Sequence, residues 1–182
     1  MEVITRKFNV NEYHKMAKIG ILTPEDRVEL IRGEIIAMSP IGRKHAAAVN
    51  RLTNLFPQLL GDKAIVSVQN SIRLDNYSEP QPDLVLLKPR SDFYESKIPE
   101  YEDIYLLIEV SDSTIKYDQE VKLTLYAESN ISEVWIVNLN NITLEVYRQP
   151  EQKIYLEQQK NVKSISPLAF SDITLTISDI FG

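Results

Sequence analysis

Two carboxylates stand where a charge is expensive. Asp83 follows Pro82 at the mouth of the apolar run DLVLL, and Glu109 sits inside IYLLIEVSDST. An acid within such a run is costly to bury unless it has a partner. Residues two apart in a strand share a face, so Tyr105, Leu107, Glu109 and Ser111 point one way and Leu106, Ile108 and Val110 the other. Consecutive strands are usually neighbours in space, which predicts Asp83 and Glu109 side by side at one end of a sheet. Two bare carboxylates in a partly desolvated pocket repel, and one moves toward its protonated form unless a cation lies between them. Oxygen ligands of this kind suit Mg²⁺ or Mn²⁺, with water completing the octahedron.

A third group comes from the stretch YDQEVKLTLYAES. Asp118, Lys122 and Tyr126 fall at i, i+4 and i+8 of a predicted helix and share one face. With that face turned to the strand ends, Lys122 reaches the carboxylates and orients or helps to deprotonate a water, or stabilises charge on a phosphate. Asp118 is then expected to pair with Lys122 and hold its rotamer. The plainer readings are a strand-initiating acid after two prolines for Asp83, and a solvated helix lysine for Lys122.

These groups need elements to hold them. NVNEYHKMAKIGIL reads as a short helix with Asn9 or Asn11 as N-cap and Gly20 at its end. RVELIRGEIIAM reads as a hairpin turning at Arg32-Gly33. HAAAVNRLTNLFPQLL is an amphipathic helix in which Pro57 is expected to kink the last turn. AIVSVQNSIRL alternates, with Val66, Val68, Ile72 and Leu74 on one face and Ser67, Gln69, Ser71 and Arg73 on a polar face suited to a site wall. DLVLL and IYLLIEV are nearly continuous apolar runs, as in central strands covered on both sides. After the helix bearing Lys122 come EVWIVNL and TLEVYRQ, joined at Asn140-Asn141, then KIYLEQQ and a terminal LTISDIFG. The mixture predicts an α/β (α+β) fold with helices packed on a mixed sheet, as one domain over residues 1–182.

Net charge is −6 and there is no polybasic run, so contact with nucleic acid has to come from a local patch. Arg43, Lys44 and Arg51 form the densest basic cluster and are the candidates for approaching phosphates. The absence of cysteine excludes disulfides and thiolate metal sites, and two histidines, His14 and His45, exclude a His-rich one. MEVITRKFNV lacks a long apolar segment and no run of about 20 apolar residues occurs, so the expectation is a cytoplasmic protein that does not enter a membrane.

Pro82-Asp83, then Glu109-Val110-Ser111, then Lys122 resemble the PD-(D/E)XK pattern of the restriction-endonuclease-like superfamily. More closely, VELIRGEIIAMSPIGRKH, PDLVLL, IEVSDST, YDQEVKLTLYAES and EVWIVNL resemble the "Uma two" family assigned to it, formerly a domain of unknown function, from about Asn9 to the C-terminus. The resemblance implies a mixed central sheet flanked by helices, with Asp83, Glu109 and the Val110 carbonyl around Mg²⁺ or Mn²⁺. It also implies a further acid from the first block, Glu29 or Glu34, between which the alternation of the hairpin does not choose. His45 matches a family block and Gln69 is placed to touch a ligand or substrate. The chain departs from the pattern where the motif lysine is expected, because that residue is Ser111. Lys122 on the following helix fits a migrated lysine, with Lys116 as the substitute.

The leading expectation is a metal-dependent endonuclease with Asp83, Glu109 and Lys122 catalytic, acting on DNA or, second, RNA, and working as a homodimer. The alternative is a non-catalytic interaction or regulatory module of the same fold. A glycosidase would need the two acids flanking a sugar cleft, and the sequence offers no cue for one.

Overall fold

A computed structural model describes residues 4–182; the first three residues of the N-terminal stretch read above lie outside it. In chain order the elements are α1 (Val10–Lys18), the strands β1 (Val28–Ile31) and β2 (Glu34–Ala37), α2 (Arg43–Leu60), β3 (Ile65–Val68), β4 (Leu84–Leu87) and β5 (Ile104–Ser111). Then follow α3 (Ile115–Tyr117), a π turn (Asp118–Lys122) and α4 (Leu123–Glu128) as one continuous helical segment. β6 (Glu133–Asn138), β7 (Thr143–Glu151), β8 (Ile154–Gln159), β9 (Ser164–Ile165), β10 (Leu175–Thr176) and α5 (Ile177–Phe181) complete it.

Six strands form a mixed sheet in the order β3-β4-β5-β6-β7-β8, in which β5 and β6 are parallel and the other neighbours antiparallel. Parallel neighbours cannot be joined by a tight turn and need a crossover. The segment α3–π turn–α4 is that crossover. It covers one face of the sheet, where Leu107, Val134, Ile136 and Tyr147 pack with Tyr126 and Ala127. The other face, with Leu84, Leu106, Ile108, Trp135 and Val146, packs on Leu52 and Phe56 of α2 and Ile180 of α5. β4, β5 and β6 are therefore covered on both sides, which is why their sequences do not alternate.

The local signals explain most boundaries. Asn9 caps α1 in a reciprocal capping box with Glu12, and Gly20 follows at φ +78°. Arg32 and Gly33 both take positive φ, the two-residue turn that matches strand twist, so β1 pairs with β2 as a separate ribbon. That ribbon is attached beside the large sheet through the Leu30–Glu79 bridge. α2 starts at Arg43, continues through Pro57 and stops at Leu60 before Gly61.

One strand is shorter than its alternation predicts. β3 ends at Val68, because Gln69 takes a left-handed φ of +50°. Val66 and Val68 pack on the α2 side while Ile72 and Leu74 pack on the opposite side. The break thus moves the second half of the alternating run to the other face.

Candidate active site

β1, β4 and β5 bring their acids to one cleft of about 390 Å³, walled on the other side by the connection Met38–Gly42 and by Asp112–Thr114. Asp83 immediately precedes β4, whose Leu84 pairs with Ile108 of β5. The next rung of that ladder sets Asp83 opposite Glu109. Pro82 lacks an N–H and ends the preceding loop at a buried position. Asp83 Oδ2 accepts the Val110 N–H at 2.9 Å, and Oδ1 accepts from Gln69 Nε2 at 3.2 Å and faces His45 Nε2 at 3.0 Å. Gln69 also donates its backbone N–H to the Asp83 carbonyl at 3.1 Å, so the left-handed residue holds the aspartate at two points.

Glu109 is 3% exposed, Glu29 2% and Lys122 5%. Lys122 Nζ lies 3.2 Å from Glu109 Oε1 and 3.2 Å from Glu29 Oε2, bridging a strand of the large sheet to the hairpin. Tyr126 donates its hydroxyl to the same Glu109 Oε1. Among the described residues Glu109 Oε2 accepts no hydrogen bond, yet the one buried polar side-chain atom without a partner is His45 Nδ1. Glu109 Oε2 is therefore open to the cleft. Glu29 also accepts from the Gln81 N–H at 3.1 Å and from the Tyr117 hydroxyl at 3.3 Å. Asp118 does not bond Lys122; its Oδ2 takes the Ser111 and Thr114 hydroxyls, each at 2.7 Å.

The electrostatics follow from four carboxylates around one lysine. Burial pushes Glu109 up to about 8; Lys122 opposes that rise, and Asp118 and Asp83 add to it. Burial also raises Asp118 against the pull of Lys122 and its two hydroxyl donors. For Lys122 burial disfavours the charge, but Glu109, then Glu29, Asp118 and Asp83 outweigh it and hold the ammonium protonated. It is thus a fixed positive charge and not a base. The hydrogen bond to Asp83 raises His45, against the cost of its burial. Burial, with Glu109 and Glu29 behind it, keeps Tyr126 a phenol and hence a donor.

This donor set fits a hard divalent cation. The cleft holds more negative charge than Lys122 neutralises, and Glu109 Oε2 is free. Among the described residues no three His, Asp or Glu side chains converge into a protein-only cage. Asp83, Glu109 and a backbone carbonyl with water would then be the ligands, which is how Mg²⁺ is usually held.

Other residues singled out by sequence lie elsewhere. Glu34 is exposed near the hairpin turn and pairs with Lys7, so Glu29 is the hairpin acid in the cleft. The Arg51 guanidinium lies 3.5 Å from the Ile180 carbonyl, against α5 rather than the cleft. Arg43, Lys44 and Lys116 are exposed and are not part of the cleft wall. Arg27, Tyr117, Thr114 and Gln81, which carried no distinguishing spacing, do line it.

A six-stranded mixed sheet flanked by helices, with an acid-lined cleft at the strand ends, places the chain in the nuclease-like α+β class. A solved structure from Anabaena variabilis, described as "a putative nuclease belonging to DUF820", has the same fold at a TM-score of 0.72 and 18% identity, over 96% of this chain and 97% of that one. The family model Uma2, described as "Putative restriction endonuclease", matches residues 10–178, and the chain belongs to that family. No curated protein matches it.

Proposed function

We propose that the protein is a divalent-metal-dependent nuclease that hydrolyses phosphodiester bonds of DNA, with RNA as the second substrate. The observation that carries this reading is the Lys122 ammonium, delivered by the crossover to within 3.2 Å of both Glu109 and Glu29, in the cleft that Asp83 enters from β4. Asp83, Glu109 and the Val110 carbonyl would hold Mg²⁺ or Mn²⁺. A bound cation supplies charge neutralisation at the phosphate and acidifies water.

The chain's own groups do the rest. Gln69 and His45 fix the Asp83 carboxylate, while Tyr126 and Lys122 fix Glu109 with one oxygen turned to the cleft. Lys122, held protonated, stabilises the charge that builds on the phosphoryl oxygens. Ser111, in the place of the motif lysine, clamps Asp118 instead.

Single- and double-stranded DNA and RNA oligonucleotides incubated with Mg²⁺, Mn²⁺ or chelator test the reading. Cleavage is expected with metal alone, falling by about 10²-fold or more in Glu109→Gln, Asp83→Asn and Lys122→Met. A protein that cleaves none of these and binds no Mn²⁺ through Asp83 and Glu109 would overturn it. A second reading, a non-catalytic module, draws on the closed network of Lys122, Glu29, Glu109 and Tyr126, which ties the hairpin to the large sheet as a structural clasp. Calorimetric Mn²⁺ binding that disappears in Glu109→Gln argues against that second reading.

A further inference from the structure

Glu145 of β7 is a buried acid, 6% exposed, that the cleft does not use. Glu109 pairs with Ile136, and Ile136 with Glu145, so the two acids occupy one rung across three strands and face the same side of the sheet. The crossover lies over that rung. Lys122 and Tyr126 descend on Glu109, and Gln119 descends on Glu145, its Nε2 at 3.1 and 2.9 Å from the two carboxylate oxygens. Tyr147 donates to Glu145 from the same strand, and Lys160 Nζ lies 3.8 Å away.

The segment between these contacts is the π turn, marked by the Leu123 N–H bonding to the Asp118 carbonyl five residues back. On an unbroken α-helix, residues four apart drift by about 40° per step, so Asp118, Lys122 and Tyr126 would fan out. One wide turn takes up the drift and lets all three reach the strand end. Such a turn is rare and depends on its surroundings. Gln119 is the residue inside it that bonds a neighbouring strand away from the cleft.

We infer that the Gln119–Glu145 pair is the positioning device for Lys122: it anchors the π turn on β7 and so sets the ammonium between Glu109 and Glu29. Gln119 is a positioning residue; it does not enter the cleft wall. The consequence for turnover rests on the nuclease reading, whereas the placement of Lys122 does not.

Trace acetylation with acetic anhydride, read lysine by lysine by mass spectrometry, reports that placement without any substrate. In the unaltered protein Lys122 is expected to label at least about tenfold more slowly than exposed lysines, and Gln119→Leu is expected to remove most of that protection. Gln119→Arg, which can still bond Glu145, is expected to retain it. In a metal-dependent cleavage assay Gln119→Leu lowers kcat by about tenfold with KM little changed, and Gln119→Arg restores kcat. If Gln119→Leu does not fold, the pair Gln119→Leu/Glu145→Leu leaves no stranded carboxylate and replaces it, with the same loss of Lys122 protection expected. Protection of Lys122 unchanged in the folded variant overturns the inference. Lost protection in a protein that cleaves nothing supports it, and counts against the nuclease reading alone.

Discussion

Among the described residues Lys122 is the one ammonium set between Glu29 and Glu109, and Lys122→Met removes it while keeping an apolar stem of similar length. At 3.2 Å and an effective dielectric near 20, each of its two contacts is worth about 5 kcal/mol before desolvation. The net cost of removing one partner from a buried pair is smaller, about 3–5 kcal/mol. We take that range without doubling it, because Tyr117 and the Gln81 N–H still serve Glu29 and Tyr126 still serves Glu109. Trp135, the single tryptophan and fully buried, reports unfolding in urea. With a slope of about 2 kcal/mol per M, the midpoint is expected to fall by roughly 2 M at pH 8. The loss should shrink at pH 5, where Glu109 carries a proton even with Lys122 present, so that ion pair is absent from both proteins. Neutralising the partners as well, in Glu29→Gln/Glu109→Gln/Lys122→Met, should recover much of the stability. A midpoint unchanged in Lys122→Met at pH 8, or a triple variant no better than the single, would refute the reasoning.

Three further outcomes are expected. Metal-free protein should be more stable at pH 5 than at pH 8: Glu109 rises from 4.5 to about 8 on folding, so the folded state binds more protons across that window and stability falls as pH climbs through it. The ceiling for this one proton over the three pH units is roughly 4 kcal/mol; His45 and Asp118, also raised, act in the same sense, and urea midpoints that flatten between pH 5 and 8 in Glu109→Gln would identify the main group. Gly33→Ala forces a side chain into a φ of +77° with its Cβ 2.6 Å from Lys7 Cβ, and thermal unfolding should show a loss of about 1–3 kcal/mol. Among the described residues, Arg148→Met leaves fully buried Glu133 with the Trp135 indole and the Leu168 N–H as its remaining donors, and chemical denaturation should register about 3–5 kcal/mol.

The sequence made the central strands, the capped first helix and the Arg32-Gly33 turn readable because each rests on local chemistry. It made Glu109 readable for a similar reason: an acid inside a buried run has to meet something. Glu29 and Glu34 could not be separated by alternation, since the hairpin register puts both on the same side. What separates them is position along the ribbon, with Glu34 beside the turn where Lys7 reaches it. The alternation puts Gln69 on the polar face of a strand; in the structure a left-handed backbone at Gln69 ends the strand and delivers the side chain to Asp83. The π turn left no mark on the helical pattern, because one extra residue in a turn is smaller than the width of the polar stripe. Apart from its match to a family block, His45 is a lone histidine at a helix start, and its contact with Asp83 depends on how α2 crosses the sheet.

The hairpin that carries Glu29 is not a member of the six-stranded sheet, and a two-stranded ribbon is marginal by itself. Lys122 therefore has one partner secured thirteen residues back along the chain, through the crossover, and another ninety-three residues away that has to dock. Contacts of such different sequence separation do not close together during folding. The short loop is expected to join first, pairing Lys122 with Glu109 as β5 and β6 align. Glu29 arrives last, so the charge balance of the cleft is completed only at the end of folding, by the smallest sheet element that touches it.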